Sequence, residues 1–559
     1  MGKLRTFFNK NGIGAWIFLF SLTIFAFYLV VFFAALSSKV SDYSWGDVIY
    51  HHQLFYNFLH GRPFQTSVYW HALIYSKNPY AYLNTFNIHL YLSPFLFSPL
   101  YLLNPNLNGL YSVWIAVTYI SLAFFIWKLV CFFTVKDRLP KYLLVMSFVL
   151  TNALIFSLVV GKASPIVLGT PFLLAAYYFL QRERYLLFYL CSILFCLSYD
   201  DCGLLFISFL PYVYFFERKH LKPALITAVV GLLSVGLIVG VLQPLGRAGF
   251  PGKSTASMLD QFRLTWSLLN DVFLFDYVLK TFMRLSFFGL LFLAIPVALL
   301  WTKKSGPQPQ DLYRCLGLIF LAPLSHWASI VINVGVHFMP VVVFSTIAVT
   351  LIISRSSLAF PVTWPRQGRQ GNLALVIIGL CFALNLFVFT YPKLQYINDT
   401  YHAEKEANAH CLQNVNRFVP LDASLTFWTA RGIAGFLGNR SDFWIFPHYY
   451  DQTDFLVMQK NSKNTFFQVK IVAGQDLDQI LRNGTYHSSG EKIEIDSKII
   501  GAVCDKLVKV NQSHTIVFED MEMVILKRKE HIRFEQPPET RGFGFFLIFP
   551  KYWRTKFSG

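Results

Sequence analysis

The sequence predicts a mainly α, polytopic membrane protein of about 11 transmembrane helices with a C-terminal extracytoplasmic α/β domain, and three observations carry that expectation. First, 55% of its 559 residues are hydrophobic and only 14% are charged, which is more apolar side chain than a water-soluble core of this size can hide. Second, the apolar residues gather into runs suited to a bilayer: 13–37, 109–133, 141–160, 164–181, 184–199, 202–216, 221–243, 283–302, 312–332, 336–354 and 373–391. Third, beyond residue 395 the apolar runs shorten to strand length. The chain therefore divides into 1–394, a membrane domain, and 395–559, an α/β domain.

Taken in order, the run Ile13 to Leu36 follows Lys3, Arg5 and Lys10 and resembles a signal peptide in that respect. It is longer than a usual signal core and lacks a small-x-small cleavage site, so it reads as a retained helix with a cytoplasmic N-terminus. Orientation then follows from charge. The cytoplasmic joints carry Lys136/Arg138/Lys141, Arg182/Arg184, Arg218/Lys219/Lys222, Lys303/Lys304/Arg314 and Arg355/Arg366/Arg369, whereas the short outer joints carry only Lys162. The formal charge of +18 is thus a topology signal of a cell (inner) membrane protein and not a nucleic-acid footprint. Three regions face outward: 38–108, 244–282 and everything after Pro392. Within the first, 89–103 is apolar but short and holds two prolines, which suits an interfacial or re-entrant helix.

In the tail, SLTFWT (424–429), DFWIFP (442–447), DFLVM (454–458), HTIVF (514–518) and MEMVIL (521–526) read as strands; 403–418 and 476–483 read as helices. The aromatic and basic end, 541–559, suits either the membrane surface or a terminal segment without a fixed place. Cys131, Cys191, Cys196, Cys202, Cys315 and Cys381 lie in or beside apolar runs and read as small core residues; Cys411 and Cys504 are a possible disulfide in an oxidising compartment. Four Asn-x-Ser/Thr triplets, at Asn398, Asn439, Asn483 and Asn511, carry meaning only in a eukaryotic secretory route.

The chemistry-bearing residues collect on the expected outer face. In WGDVIYHHQLFYNFLHG (45–61), a helix over 46–60 puts Asp47 and His51 one turn apart, where they can share a proton or a divalent cation; the competing reading is a helix cap with wet histidines at the headgroups. At SYDDCG, Asp200 and Asp201 are costly beside lipid unless a cation or a partner neutralises them, and a polar turn explains them otherwise. GRAGFPGKST (246–255) imitates a phosphate-binding loop but has Arg247 where the spacing demands glycine. Arg247, Lys253 and Arg263 remain as cations able to hold a lipid-linked phosphate, or to meet anionic lipid.

These residues resemble a known family. GDVIYHHQLFYNFLHG is similar to the opening of the predicted prokaryotic membrane proteins of domain-of-unknown-function 2079, with Asp47, Gln53, Asn57, Leu59, His60 and Gly61 on the pattern. His52 stands where relatives have a second acidic residue, which puts a paired-carboxylate metal site in doubt. His89 precedes Pro99-Leu100-Tyr101 as the family's His precedes its Pro-Leu-Tyr, Asp200-Asp201 take the place of a Lys-Glu-Asp motif with Tyr199 replacing Lys, and GKASPIV keeps only Pro165 of its motif. In the tail, VPLDASLTFWTARGIAGFLGNRSDFWIFP resembles the family's Pro-x-Asp-Ala-Ser strand, Leu-x-Asn-Arg and aromatic strand.

The family in turn looks like the GT-C class of membrane glycosyltransferases. That resemblance implies a GT-C-like fold and transfer of a sugar from a polyprenyl-phosphate donor, within membrane lipid, to a glycan, lipid or protein acceptor on the outer face. Asp47 is the implied catalytic base; His89, Asp200, Asp201, Gln53, His51, Arg247 and Lys253 are candidate substrate contacts. Asp47, His51 and Asp201 are candidate ligands of a divalent cation, Mg or Mn. From a different class, a transporter or a non-catalytic scaffold that binds an ion or a partner at its outer face fits the same composition.

Overall fold

The computed structural model describes residues 46–60, 65–66, 83–84, 93–135, 138–151, 165–198, 202–238, 309–318, 339–355, 391–427, 432–440, 443–445, 453–459, 485–488, 491–494, 510 and 512–530. They form a mostly helical protein with a small sheet. The helices are α1 (Gly46–Leu59), α2 (Ser93–Tyr101), α3 (Leu107–Phe133), α4 (Arg138–Thr151), α5 (Thr170–Gln181), α6 (Tyr185–Cys196), α7 (Cys202–Phe216), α8 (Leu221–Leu237), α9 (309–318), α10 (Met339–Arg355) and α11 (Tyr391–Phe418). Two of them include stretches long and apolar enough to cross a bilayer, Ser112–Phe133 and Arg218–Leu237. The apolar helices at 167–181, 185–196, 202–216 and 343–355 are shorter. The expected spans 13–37 and 283–302, and 373–390 of the last, lie outside the described residues.

Helix boundaries follow from local chemistry. Asn106 caps α3: its side chain accepts from the Gly109 amide at 2.9 Å, which satisfies one of the donors a helix start leaves open. A Cβ on Gly109 would overlap the carbonyl oxygen of Asn104, so the tight approach to the cap requires glycine there. At the other end of α5, the Arg184 amide reaches Phe179 O and the Glu183 amide reaches Leu180 O, both at 3.0 Å, the double closure of a Schellman turn. Glu183 occupies the left-handed position of that turn with φ 57°, where glycine is the ordinary choice.

The helices pack as lipid-immersed helices do. α7 and α8 form an antiparallel pair, and at their crossing a Cβ on Gly203 would lie 2.3 Å from the Gly231 carbonyl oxygen, and one on Gly231 2.5 Å from that of Gly203. Two backbones in such contact tolerate only glycine, the small-residue solution of membrane interfaces. The outward faces are apolar instead of polar: Leu186 is 80% and Phe215 70% exposed, and Ile120, Phe124, Leu232 and Leu233 follow the same pattern. Large apolar side chains exposed in this number suit hydrocarbon, since water would penalise each of them.

One end of the bundle gathers the basic residues. Arg182 lies over the Phe132 ring and Arg355 over that of Phe133, while buried Lys141 donates to Ser354 O at 2.9 Å. Arg314 Nη2 donates to Phe216 O at 3.5 Å, and Lys219 pairs with Glu183 at 2.7 Å. Among them Glu217 is buried, accepting from Gln181 Nε2 at 2.6 Å and Tyr212 Oη at 2.9 Å. Burial pushes its carboxyl above the usual range despite those donors and Arg314.

The expected strands all form. A five-stranded sheet runs β4 (Phe443–Ile445), β3 (Leu425–Phe427), β5 (Phe455–Gln459), β9 (Met523–Arg528), β8 (His514–Glu519), parallel across the first three and antiparallel thereafter. Short antiparallel pairs, β1 (Gln65–Thr66) with β2 (Leu83–Asn84) and β6 (Thr485–Ser488) with β7 (Glu491–Glu494), were not expected from the sequence. The helix expected over 403–418 is longer: α11 has 28 residues, about 42 Å at 1.5 Å per residue. Leu394 and Ile397 near its start belong to the core of the helical bundle, and Cys411 and Val415 near its end to the core of the sheet. The division expected at 394/395 falls within this continuous helix.

Cys411 is a free thiol buried in that second core, its pKa pushed up to about 12 by burial and by Glu522 and Asp520. Cys411 faces the sheet and lies 3.8 Å from Glu522 Oε2. Cys504, the helix expected over 476–483 and the aromatic end 541–559 lie outside the described residues.

Candidate functional site

Asp47 sits in the first turn of α1, as the sequence expected, and His51 follows one turn later. The turn after that carries Gln53, Leu54, Phe55 and Asn57. This helix does not lie wet at a headgroup surface. His51 is 4% exposed and His52, Gln53 and Asn57 are 0% exposed, which removes the reading of His51 and His52 as solvated; His60, at the end of the helix, is exposed, its ring stacked on Tyr56 at 3.9 Å.

Three separate segments bury α1. From α2, Tyr101 meets His52, the Oη to Nε2 distance being 2.6 Å, and its ring stands edge-on to Phe55. Burial, with Tyr56 adding to it, pushes the Tyr101 phenol up, so it stays a neutral hydroxyl in this contact. From α3, Trp114 lies 5.2 Å from the Phe55 ring and 6.1 Å from that of His51. From the C-terminal domain comes a 3-10 helix, Gly432–Asn439, followed by β4. A Cβ on Gly438 would lie 2.7 Å from His52 Nδ1, so the imidazole packs directly on the backbone of Gly438 as closely as glycine permits. Gln53 Nε2 donates to Phe443 O at 3.1 Å, across 390 residues of sequence.

Arg440 completes the joint from inside the domain. Its guanidinium is buried and donates to Val419 O at 3.2 Å and to Pro420 O at 2.5 Å, the carbonyls just past the end of α11. A cation there meets the negative end of the helix dipole. Burial lowers its pKa, and Tyr56 of α1 and Asp422 oppose that shift. Phe436 touches both hydrophobic cores, which makes the 3-10 helix the seam between bundle and sheet.

Four stretches by which the chain resembles its family meet here. The 45–61 segment contacts Pro99-Leu100-Tyr101 through His52 and Phe55, and Leu437-Gly438-Asn439-Arg440 through His52. Pro165 opens a 3-10 helix, Pro165–Gly169, that packs against α2. His52, the departure from the acidic pattern, fills a fully enclosed place between Tyr101 and Gly438.

The remaining candidates are distributed differently. Of Asp47 the structure describes the backbone position alone, and His89, Asp200, Asp201, Arg247, Lys253 and Arg263 lie outside the described residues. The residues flanking the aspartate pair are described: Ser198 lies against Gly169, and Cys202 opens α7. Among the described residues no group of three or more His, Cys, Asp or Glu is placed to hold a metal ion. Residues that sequence reasoning did not single out are Trp114, Phe443 and Glu217; a tryptophan early in an apolar run and a strand carbonyl carry no signal of a long-range partner. Asn439, one of the glycosylation triplets, sits half-buried on the seam.

A search of curated proteins found no match. The family model described as predicted membrane protein (DUF2079) matches residues 47–487, from the Asp47 helix through the seam to the middle of the C-terminal domain. With the larger part of its length matched, the chain belongs to the DUF2079 family of predicted membrane proteins.

Proposed function

We propose that the chain is a GT-C-like membrane glycosyltransferase that moves a sugar from a polyprenyl-phosphate donor to an acceptor on the outer face of the membrane, with Asp47 as the base. The observation that carries this reading is the convergence on α1 of segments distant in sequence, with the C-terminal domain closing over the helix that presents Asp47. Asp47 accepts the acceptor hydroxyl's proton as that oxygen attacks the anomeric carbon, and the lipid phosphate leaves with the bonding pair. Arg247 and Lys253 offset the charge gathering on the departing phosphate.

Topology supports the outward side. Because α1 touches the C-terminal domain, the chain between them crosses the bilayer an even number of times, which the eleven-span reading satisfies. The cluster of Arg182, Lys219, Arg314 and Arg355 marks the opposite end, and basic residues favour the cytoplasm. A divalent cation held by Asp47, His51 and Asp201 is a separable part of the proposal, and no step above runs through it.

Membranes containing the full chain are assayed with a panel of polyprenyl-phosphate sugars. Asp47→Asn is expected to lower transfer by about 10²–10⁴-fold, the range for loss of a general base, at unchanged expression. Equal transfer by Asp47→Asn overturns the assignment. Removal of divalent ions with EDTA and return of Mg or Mn decides whether a cation takes part.

A further inference from the structure

We infer that the C-terminal domain is the positioning element of the Asp47 helix: Gln53, His52 and Gly438 fix the pose of α1, so that removing the joint displaces the base without touching it. The inference rests on the enzymatic reading for its chemical consequence and on geometry for its substance.

Three features separate this joint from ordinary packing. A side-chain hydrogen bond across the seam runs from Gln53 to a main-chain carbonyl of the edge strand β4, so it reads the position of the backbone and is indifferent to the side chain at 443. Its closest approach, His52 on Gly438, is set by the missing Cβ and fixes the rotation of α1 about its axis, because His52 is held from the other side by Tyr101. Rotation decides where Asp47 points, since residues 47 and 51 share one face of α1 while residues 52 and 53 lie on the next. A side chain committed in this way is a positioning residue, and Gln53 therefore leaves the set of substrate contacts. The domain that delivers the carbonyl and the glycine is itself braced by Arg440 on the end of α11, so the pose of α1 is referred back to the bundle through that helix.

The test follows amide hydrogen exchange along the purified full chain in detergent, with transfer kinetics beside it. Gly438→Val is expected to speed exchange over 48–59 at least tenfold, and Gln53→Met, of similar length but without the donor, by a smaller factor. Exchange in α7 and β9 is expected to stay as in the wild type. Adding His52→Ala to Gly438→Val, which removes the ring the new side chain strikes, is expected to restore most of the protection. In the transfer assay Gly438→Val is expected to lower kcat about tenfold at unchanged KM. Unchanged exchange over 48–59 overturns the inference, as does exchange that rises equally in β9, which would mark an unfolded domain instead of a released helix. Faster exchange over 48–59 with an unaltered kcat overturns the positioning role. A wild type that transfers no sugar from any donor removes the enzymatic reading, and with it the kinetic consequence, while the exchange result still decides whether the domain holds α1.

Discussion

The two ends of the helical bundle place polar groups in opposite ways. At the basic end they are ionisable and, around the buried Glu217 with its two donors, lie mostly at the surface: Lys219 meets Glu183, and Arg182 and Arg355 rest on phenylalanine rings. At the seam the described polar groups around α1 lie well inside the protein, imidazoles, amides and a phenol with one guanidinium: His51, His52, Gln53, Asn57, Tyr101 and Arg440. Charges at a bundle end anchor and orient helices in the bilayer. Buried polar groups directed at backbone and at one phenol specify which segments dock and in what register, because an unmatched one is costly in a dry place.

The largest effect that would break this contrast is expected at the basic end. Glu217→Leu leaves Gln181 Nε2 and Tyr212 Oη without their acceptor, at about 1–3 kcal/mol for each buried donor left unmet. Melting of the detergent-solubilised chain measures it; a loss below that of Gln53→Met would remove the distinction. The same carboxyl gives a pH signature. Its folded pKa is raised by burial, so its contribution to stability is fully present below the ordinary glutamate pKa and falls as pH rises through the folded value. Glu217→Gln is expected to flatten that decline.

At the seam, Gln53→Met is expected to cost about 0.5–1.5 kcal/mol, the net worth of one hydrogen bond, with no pH dependence of its own. A steeper loss would mean that the amide supports more than its bond to Phe443. The smallest effect, and the one of opposite sign, is at Glu183. Glycine in its left-handed position relieves about 1 kcal/mol of backbone strain, against which the fully exposed, solvent-screened pair with Lys219 counts for little. Glu183→Gly is therefore expected to melt at or slightly above the wild-type temperature, and a clear fall would show the surface pair to be stronger than such pairs usually are.

Much of the scaffold was legible in the sequence, for reasons these same residues display. Strands β3, β4, β5, β8 and β9 announced themselves as short apolar runs, and α2 as a run too short and too rich in proline to span. A helix over 46–60 was considered from the sequence and forms as 46–59, and the basic joints were legible from charge alone. What the sequence did not convey was partnership. That His52 and Gln53 point toward residues 438 and 443 depends on a glycine's missing Cβ and a backbone carbonyl, neither of which differs in sequence from a thousand others. The histidines looked like exposed ligands because imidazole beside an apolar run is ambiguous between a wet surface and a dry joint, and only packing decides. Likewise only 403–418 of α11 was read as a helix, since the polar stretch 392–402 after the expected span 373–391 hides the continuity of the backbone.

That continuity has a mechanical consequence. α11 joins the bundle at Leu394 and Ile397 and the sheet at Cys411 and Val415 without a hinge, so the azimuth and height of the C-terminal domain are set by the number of residues between them. One residue inserted near 404 turns the domain by about 100° and carries Gly438 away from His52, whereas seven return it to within about 20° of its bearing yet roughly 10 Å too far along the axis. The chain thus counts residues in α11 as a screw counts its threads, and the lock at α1 accepts one setting.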